Sequence, residues 1–208
     1  MQRRIFLIGT AGVVASGFGA SAVNAEMEME PPWVWTSKHG LLNHLVVDAD
    51  PSTDDLAKFK RCTYCGMSLK QWSHTRHLVQ YEDDSSEGVC SIRCLSISLS
   101  LNLDRNPKNI WVGDAGADAE IKPLIMADDA HYAIEVGKPG TMTADRKWAY
   151  ADKAKADATG GKVVNFNDAL VAAYVGQASD TLVIRNRRNE KRSHMAKKMK
   201  AMQDGSSN

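Results

Sequence analysis

The sequence predicts an α+β protein: two small ββαβ-type units in tandem, preceded by an export signal that is cleaved. Short apolar segments between turn residues recur along the chain, which is typical of short strands in small sheets. Leu95, Leu99 and Leu103 recur at four-residue spacing, which indicates one apolar face of a helix. Strand and helix signals follow the same order in residues 57–115 and 116–178, although the two stretches share little direct sequence similarity. Small sheets covered by helices satisfy this order.

The first 25 residues have the three-part pattern of an export signal. Arg3 and Arg4 precede an apolar run, and a small-residue cleavage motif ends at Ala25. The stretch RRIFL resembles the core of a twin-arginine signal, with Gln2 where that core usually has Ser or Thr. We therefore expect cleavage after Ala25 and a periplasmic protein with no stable membrane anchor. An uncleaved N-terminal anchor is the alternative.

Residues 26–56 are predicted to form an N-terminal arm. They begin with the polar, Met-rich stretch EMEMEPP, which lacks core-forming residues. The stretch after it alternates less cleanly than a regular strand, so it is either a strand or an arm that lies on the core.

The first unit, residues 57–115, contains the clearest strand signals. HLVQYED (77–83) is a predicted short strand, and SSEGVC (85–90) begins with turn residues and leads into a second strand. Ser91 is the predicted N-cap of the helix that carries the leucine stripe. RNPKN ends this helix, and IWVGDAG (110–116) is the strand that closes the unit.

The second unit, residues 116–178, is predicted to repeat this order. A pair of glycines stops its short helix, because glycine adopts the left-handed conformation that ends helices. Its predicted elements are a strand at 131–140 that ends in a turn with Gly and Pro, a strand at 147–152, a helix at 153–161 stopped by Gly160 and Gly161, a strand at 162–166, and a helix at 167–175 with Asn167 as its cap.

Residues 179–208 form a strongly basic, Met-containing tail with few core-forming residues. Blocks of like charge are typical of a solvated end that is disordered or loosely helical. His194, Met195, Met199 and Met202 fall roughly on one side of a helix, so weak collection of copper is one hypothesis for this tail. A plain charged tail is the alternative.

Composition and motifs argue against two broad classes of function. The chain of 208 residues has a formal net charge of +1, so no overall field attracts nucleic acid. No groove pattern of aromatic and basic residues stands out. No nucleophile–base–acid set, phosphate loop or carboxylate pair has a persuasive context. We therefore expect neither nucleic-acid binding nor enzyme activity.

Four cysteines fall in one segment with the pattern C-x2-C-x24-C-x3-C: Cys62, Cys65, Cys90 and Cys94. In an oxidising compartment an even number of cysteines is typical of disulfides, so one or two structural bridges are one hypothesis. Disulfides in a chain of this length more often join distant segments, and the clustering favours a metal or redox site. Cys90 at a strand end and Cys94 one helical turn later can point to one side.

Met67 follows Cys65 in CTYCGM and adds a thioether beside the thiolates. Soft sulfur donors suit Cu(I), whereas zinc takes thiolate, imidazole or carboxylate. Met67 therefore favours copper, and packing in the core is its alternative role. His74, His77 and His131 are weaker ligand candidates, because the first two run from a loop into a strand and do not share a face.

Three motifs resemble the NosL family, accessory proteins of nitrous oxide reductase: RCTYCGMSL, GVCSIRCL and KWAYADKAKADATGGKVVNFNDALVA. The resemblance covers residues 58–175. The cysteine pattern also resembles small YHS/TRASH-type metal modules, in which a Cys-Gly-Met-like hairpin precedes a Cys-x-x-x-Cys helix start. Many members of the NosL family are lipoproteins with a cysteine at the cleavage site, whereas this chain has no cysteine before Cys62.

The NosL resemblance implies a monomeric Cu(I)-binding protein with two ββαβ-like units. Such a protein delivers copper to apo-nitrous oxide reductase, or to another periplasmic copper acceptor. The resemblance implies Cys65 and Met67 as ligands, and Met142 in GKPGTM as a ligand that closes the site across the two units. Three roles are open for the thiols of Cys62, Cys90 and Cys94: they are further ligands of the copper ion, they form a separate structural site, or they form a disulfide. The predicted metal-site residues are Cys62, Cys65, Met67, Cys90, Cys94 and Met142.

Two other functions fit the same cysteines. The first is a structural Zn(Cys)4 interaction module. The second is a thiol–disulfide oxidoreductase that uses Cys62 and Cys65, although this Cys-x-x-Cys does not follow a strand and open a helix. The metal content distinguishes the three functions. Bound Cu(I) indicates the copper carrier, tightly held zinc indicates the structural module, and a reducible disulfide without metal indicates the oxidoreductase.

Overall fold

A computed structural model describes residues 44–205 and contains two antiparallel sheets with helices, which confirms the α+β class. The predicted export signal (1–25) and most of the predicted arm (26–56) lie outside the described residues. Within the described part of the chain, no helix combines the length and the apolar character that crossing a bilayer requires.

The first sheet has five strands in the spatial order β1-β3-β2-β4-β5. A short helix, α1 (Asp55–Lys58), precedes the cysteine segment, and Arg76 holds it through an ion pair of 2.7 Å to Asp55. The strands are β1 (Val46–Val47), β2 (His77–Tyr81), β3 (Ser85–Val89), β4 (Pro107–Gly113) and β5 (Leu124–Met126).

The β2–β3 hairpin is the centre of this sheet, and every residue of both strands is buried. Its turn contains Asp84 with a φ of 58°, a left-handed conformation that Asp tolerates. Gly88 on β3 lies directly beneath Phe59 and Leu69, since a Cβ at Gly88 would come within 2.7 Å of each of them. The absence of a side chain at this position therefore lets the cysteine-bearing segment lie on the sheet.

Helix α2 (Ile92–Leu101) connects β3 to β4 and begins as predicted at Ser91, whose hydroxyl accepts the N–H of Cys94. Leu95 and Leu99 are buried in the core. The predicted third member of the stripe, Leu103, is not on this face. The helix ends before it, and Leu103 lies in a 3-10 turn with 77% of its surface exposed.

The second sheet has three strands in the spatial order β7-β6-β8: β6 (His131–Glu135), β7 (Arg146–Tyr150) and β8 (Lys162–Val164). Helix α3 (Lys153–Asp157) joins β7 to β8, with Asp152 as its N-cap. Gly160 has a φ of 75°, which is the left-handed conformation predicted for the end of this helix. Strand β5 lies within the predicted second unit in sequence, but it pairs with β4 in the first sheet.

Helix α4 (Phe166–Gly205) is longer than the final helix predicted from the sequence and begins earlier. Asn165, not Asn167, caps it, because the side-chain oxygen of Asn165 accepts the N–H of Asp168. The first turns bury Ala169 and Ala173 against the core. The same helix continues through 179–205, which were predicted to be disordered or loosely helical, and most side chains described there are exposed.

One hydrophobic core connects the two sheets. It contains Leu78 and Val112 from the first sheet and Tyr132 and Phe166 from the second part of the chain. His77 joins the two sheets inside this core, with its Nε2 atom 3.2 Å from the Tyr132 hydroxyl.

Candidate metal centre

A tight hairpin over residues 60–69 carries the first two cysteines. The N–H of Cys62 donates to the carbonyl of Met67 (2.9 Å), and the N–H of Gly66 donates to the carbonyl of Cys62 (2.8 Å). The N–H of Leu69 donates to the carbonyl of Lys60 (3.1 Å) and closes the base of the hairpin. Gly66 adopts a φ of 75°, which allows the chain to reverse just after Cys65.

The other two cysteines lie where β3 ends and α2 begins. Cys90 directly follows β3, and Cys94 lies in the first turn of α2. The Thr75 hydroxyl donates to the carbonyl of Cys90 over 2.8 Å, which fixes this junction from the adjoining segment. The strand end and the capped helix start therefore aim two thiols at the hairpin.

The four sulfur atoms converge, and all lie within 4.8 Å of one another. The Sγ atom of Cys90 is 3.3 Å from that of Cys65 and 3.7 Å from that of Cys94, and the Cys94 and Cys65 sulfurs are 4.0 Å apart. All four thiols are free. Four thiolates around one zinc ion at 2.3 Å have sulfurs roughly 3.8 Å apart, so the cluster has the size of a single-ion site.

Burial differs among the four thiols. Cys62, Cys90 and Cys94 are almost fully buried, and Cys65 is partly exposed. Hydrogen bonds from the thiols of Cys90 and Cys94 hold the pKa of Cys62 well below the usual thiol value. Hydrogen bonding to Cys62 raises the pKa of Cys90 and of Cys94, and burial adds to both shifts. Ionisation of Cys62 is therefore favoured over ionisation of Cys90 and of Cys94, and a bound cation would favour the thiolate form of all its ligands.

The two predicted methionine ligands have different surroundings. Met67 is partly buried in the cysteine hairpin and packs against the core. Met142 is 40% exposed and has a φ of 60°, in a turn closed by Gly140 and Thr143. Thr141, its neighbour, lies 3.0 Å from the Thr75 hydroxyl that binds the Cys90 carbonyl. The prediction that both thioethers bind metal stays a prediction.

The histidine candidates lie in other environments. His77 is fully buried, and its two ring nitrogens contact the Thr75 carbonyl (3.0 Å) and the Tyr132 hydroxyl (3.2 Å), so both nitrogens already have partners. Burial lowers the pKa of His77 to about 3. His74 packs against Trp148 with ring centroids 4.9 Å apart, and burial lowers its pKa. His131 begins β6.

Sequence analysis missed a buried carboxylate beside the site, Glu87 on β3. Its Oε1 atom accepts the hydroxyl of Tyr64 at 2.8 Å and the hydroxyl of Ser98. Its Oε2 atom lies 2.8 Å from Nε2 of His44. The available signal was a charged residue in a stretch predicted to lead into a strand, and burial of that strand, which the sequence analysis did not predict, is what makes the residue need several partners.

Across the part of the chain that the structure describes, the four cysteines are the group of His, Cys, Asp or Glu side chains spaced to hold a metal. The donor set is entirely sulfur, which suits soft or borderline ions and not calcium or magnesium. The geometry can therefore bind one thiophilic metal ion, with Cys65 at its accessible edge.

Comparisons with known proteins support the assignment of a family. The family model described as NosL matches residues 53–173. Among solved structures, the crystal structure of the copper chaperone NosL from Shewanella denitrificans is similar, with 23% sequence identity and a TM-score of 0.40. The similarity covers 59% of this chain and 91% of that one. The search of curated proteins found no match.

Proposed function

The chain belongs to the NosL family, and from that premise we propose that it is a periplasmic Cu(I)-binding metallochaperone. In this proposal it delivers copper to apo-nitrous oxide reductase, or to another periplasmic copper acceptor, during maturation of that protein. The observation that carries the proposal is the convergence of four free thiols within 4.8 Å, next to Met67 in the same hairpin. It is a carrier of copper and not an enzyme.

The exposure of Cys65 supports transfer as well as binding. Three buried thiols protect a Cu(I) ion from solvent, and Cys65 offers one accessible sulfur at the edge. An acceptor ligand can attack at this edge and share the ion before the protein releases it. Soft thiolate and thioether donors stabilise Cu(I) and discriminate against harder cations.

The proposed ligands come from both parts of the chain. Cys65 and Met67 lie in the hairpin, and Cys62, Cys90 and Cys94 surround them with further thiols. Met142 is the proposed ligand from the second part. The hydrogen bond between Thr141 and Thr75 supports this role, because Thr75 also binds the Cys90 carbonyl.

The first experiment is an anaerobic titration of the reduced mature protein with Cu(I) against a competing chelator, with zinc content measured on the protein as purified. We expect tight binding of one Cu(I), abolished by Cys65→Ala and weakened by Met67→Ala. Transfer is then measured by incubating the loaded protein with apo-nitrous oxide reductase and assaying copper in the re-isolated enzyme. Copper that stays on the carrier would contradict the proposed acceptor.

A structural zinc module is the second candidate, and the number and spacing of the sulfurs favour it. The sulfurs of Cys65, Cys90 and Cys94 are 3.3 to 4.0 Å apart, and all four sulfurs lie within 4.8 Å of one another, which is compatible with a tetrahedral Zn(Cys)4 site. Stoichiometric zinc that resists displacement by Cu(I) would establish this function in place of copper transport. The oxidoreductase is less well supported, since the nearest described sulfur to Cys65 belongs to Cys90 and not to Cys62.

We also propose that residues 1–25 are a cleaved export signal and that residues 57–115 and 116–178 are tandem ββαβ units of a monomer. N-terminal sequencing of protein from the periplasmic fraction tests the signal, and we expect a mature chain that begins at Glu26. Retention of Met1 would indicate an uncleaved anchor.

Light scattering of the copper-loaded protein tests whether it is a monomer.

A further inference from the structure

Glu87 occupies an unusual position among the charged residues of the first sheet. It lies in the middle of β3 with only 1% of its surface exposed. A buried carboxylate is costly unless hydrogen bonds satisfy its oxygens. Glu87 meets this requirement with the hydroxyls of Tyr64 and Ser98 on one oxygen and the ring of His44 on the other.

The partners of Glu87 belong to the segments that carry the cysteines. Tyr64 lies between Cys62 and Cys65 in the hairpin. Ser98 lies one helical turn after Cys94 on α2. Glu87 itself is three residues before Cys90 on β3. One carboxylate therefore joins the hairpin, the strand and the helix whose sulfurs converge.

These contacts are long-range and directional. The hydrogen bond from Tyr64 to Glu87 spans 23 residues, and the bond from Ser98 spans 11. The Tyr81 hydroxyl lies 2.6 Å from the Ser98 hydroxyl and extends the network to β2. Burial is the main reason that the pKa of Tyr64 is raised, and the neighbouring Glu87 charge adds to the shift, so its hydroxyl stays protonated and donates.

We propose that Glu87 is a positioning residue of the four-sulfur site, which holds the hairpin, β3 and α2 so that their thiols converge before metal binds. The proposal deepens the proposed function, because it concerns the same sulfurs, but it does not depend on which metal they bind. Hydrogen bonds made directly to metal ligands typically change metal affinity by about 10- to 100-fold when they are removed, and this range is the reference for a network that joins the segments that carry the ligands.

The test compares metal affinity in folded variants that differ only in this network. Glu87→Met keeps the length of the side chain and removes both acceptor oxygens, and we expect Cu(I) affinity to fall by about 10- to 100-fold. Glu87→Gln keeps one oxygen that can accept the Tyr64 and Ser98 hydroxyls, so we expect affinity within about threefold of the original protein. Tyr64→Phe removes only the hydroxyl on the hairpin, and we expect a loss of about tenfold.

Glu135→Met is the matched control. Glu135 is also a buried strand carboxylate, with Lys138 and Arg146 as its partners, but it lies in the second sheet. We expect this variant to lose stability and to keep its metal affinity. A fall in affinity in Glu135→Met as large as in Glu87→Met would overturn the positioning role, because the effect would then follow from general destabilisation.

Thiol reactivity supplies a second measurement, without metal. In the metal-free reduced protein, we expect Ellman's reagent to modify Cys65 fast and the three buried thiols slowly. In Glu87→Met all four thiols should react faster, and in Glu135→Met the original pattern should persist. Unchanged affinity and unchanged reactivity in both Glu87→Met and Tyr64→Phe would overturn the proposal.

Two further outcomes separate this proposal from the proposed function. If Glu87→Met does not fold by circular dichroism, Tyr64→Phe alone decides the positioning role. If the original protein binds no Cu(I), the copper carrier is wrong, and the same variants are compared with Zn(II) as the probe. Weaker zinc binding in the network variants would then still support positioning by Glu87, and binding of neither metal would overturn it.

Discussion

The two sheets share an order of two strands, a helix and a strand in sequence, but they bury their residues to different degrees. In the first sheet every residue of β2 and β3 is buried, and α2 buries both apolar and polar side chains. In the second sheet α3 buries only Ala156. One face of this sheet, together with α4, lines an open cleft of about 520 Å³ beside Lys147 and Val175.

This difference explains where the metal centre lies. Converging thiols need a covered site, because solvent and oxidants reach exposed thiols. The first sheet supplies that cover with the hairpin over Gly88 on one side and α2 beside it. The second sheet is open and contributes the exposed turn that carries Met142. The covered first region is therefore where the four thiols converge.

The largest effect is expected at the centre of the covered region. Cys90→Ser removes the sulfur that contacts both Cys65 and Cys94, and we expect metal affinity to fall by more than the ~100-fold that marks the upper end for supporting hydrogen bonds. Ser96→Ala is the control, because Ser96 is buried on α2, the helix that carries Cys94, and its hydroxyl donates to the side-chain oxygen of Gln177 over 2.8 Å. Chelator competition measures both variants. Similar losses in the two would show that the sulfur itself is not the cause.

The contact between the two regions should depend on pH through His77. Its folded pKa of about 3 lies below the ordinary value of about 6.5, so the unfolded chain binds more protons between these values. The contribution of His77 to the free energy of unfolding is therefore expected to be constant above pH 6.5 and to fall toward pH 3, by about 1.4 kcal/mol per pH unit in the steep part. Urea unfolding at several pH values measures this slope.

His77→Gln is the variant that isolates this effect. We expect it to be less stable at pH 7 and to show a shallower fall in stability below pH 6.5. Since His74 also has a lowered pKa from burial, His74→Gln serves as the comparison. A slope that His77→Gln leaves unchanged would mean that the titration of other groups dominates.

Gly88→Ala should show how much more the first region depends on close packing than the second. The added Cβ would come within 2.7 Å of Phe59 and Leu69, so we expect a loss of about 1–3 kcal/mol in the free energy of unfolding. Metal affinity should fall as well, because the hairpin must move. Gly137→Ala in the second region meets no atom within 4 Å and costs only the strain of its φ of 76°, about 1 kcal/mol. Equal metal affinity in the two variants would contradict the idea that tight metal binding requires the hairpin to pack closely on β3.

The smallest effect tests whether the second region contributes a ligand at all. Met142→Leu keeps the apolar volume and removes the thioether, and we expect Cu(I) affinity to fall by about tenfold, or about 1.4 kcal/mol. Met126→Leu is the control, since Met126 lies on β5 of the first sheet. Equal affinities would place the whole site in the first region.

Local signals predicted most of the elements that build the site. Turn residues bounded β2 and β3, and Ser91 marked the start of α2, because caps and turns depend on neighbours in sequence. The close spacing of the cysteines also indicated one site. Leu103 was assigned wrongly, since apolar spacing does not reveal that the helix ends after Leu101.

Long-range contacts explain the remaining differences. The network of Glu87 joins residues 11 to 43 positions apart, and no local pattern predicts such pairs. The start of α4 was misplaced because Asn165 and Asn167 are equally good caps in sequence, while burial of Phe166 favours the earlier one. The tail has residues with good helix propensity, and the charge pattern alone did not indicate how far the helix would continue.

The hydroxyl of Thr75 sets a direction in the chain of hydrogen bonds between the two regions. A hydroxyl has one proton, and Thr75 uses it on the carbonyl of Cys90, so Thr141 must be the donor in the other bond. When the turn of Met142 moves away, Thr75 therefore loses an incoming bond and keeps its own. The link to the Met142 turn and the bond that fixes the Cys90 carbonyl use different protons, so loss of the first leaves the second in place.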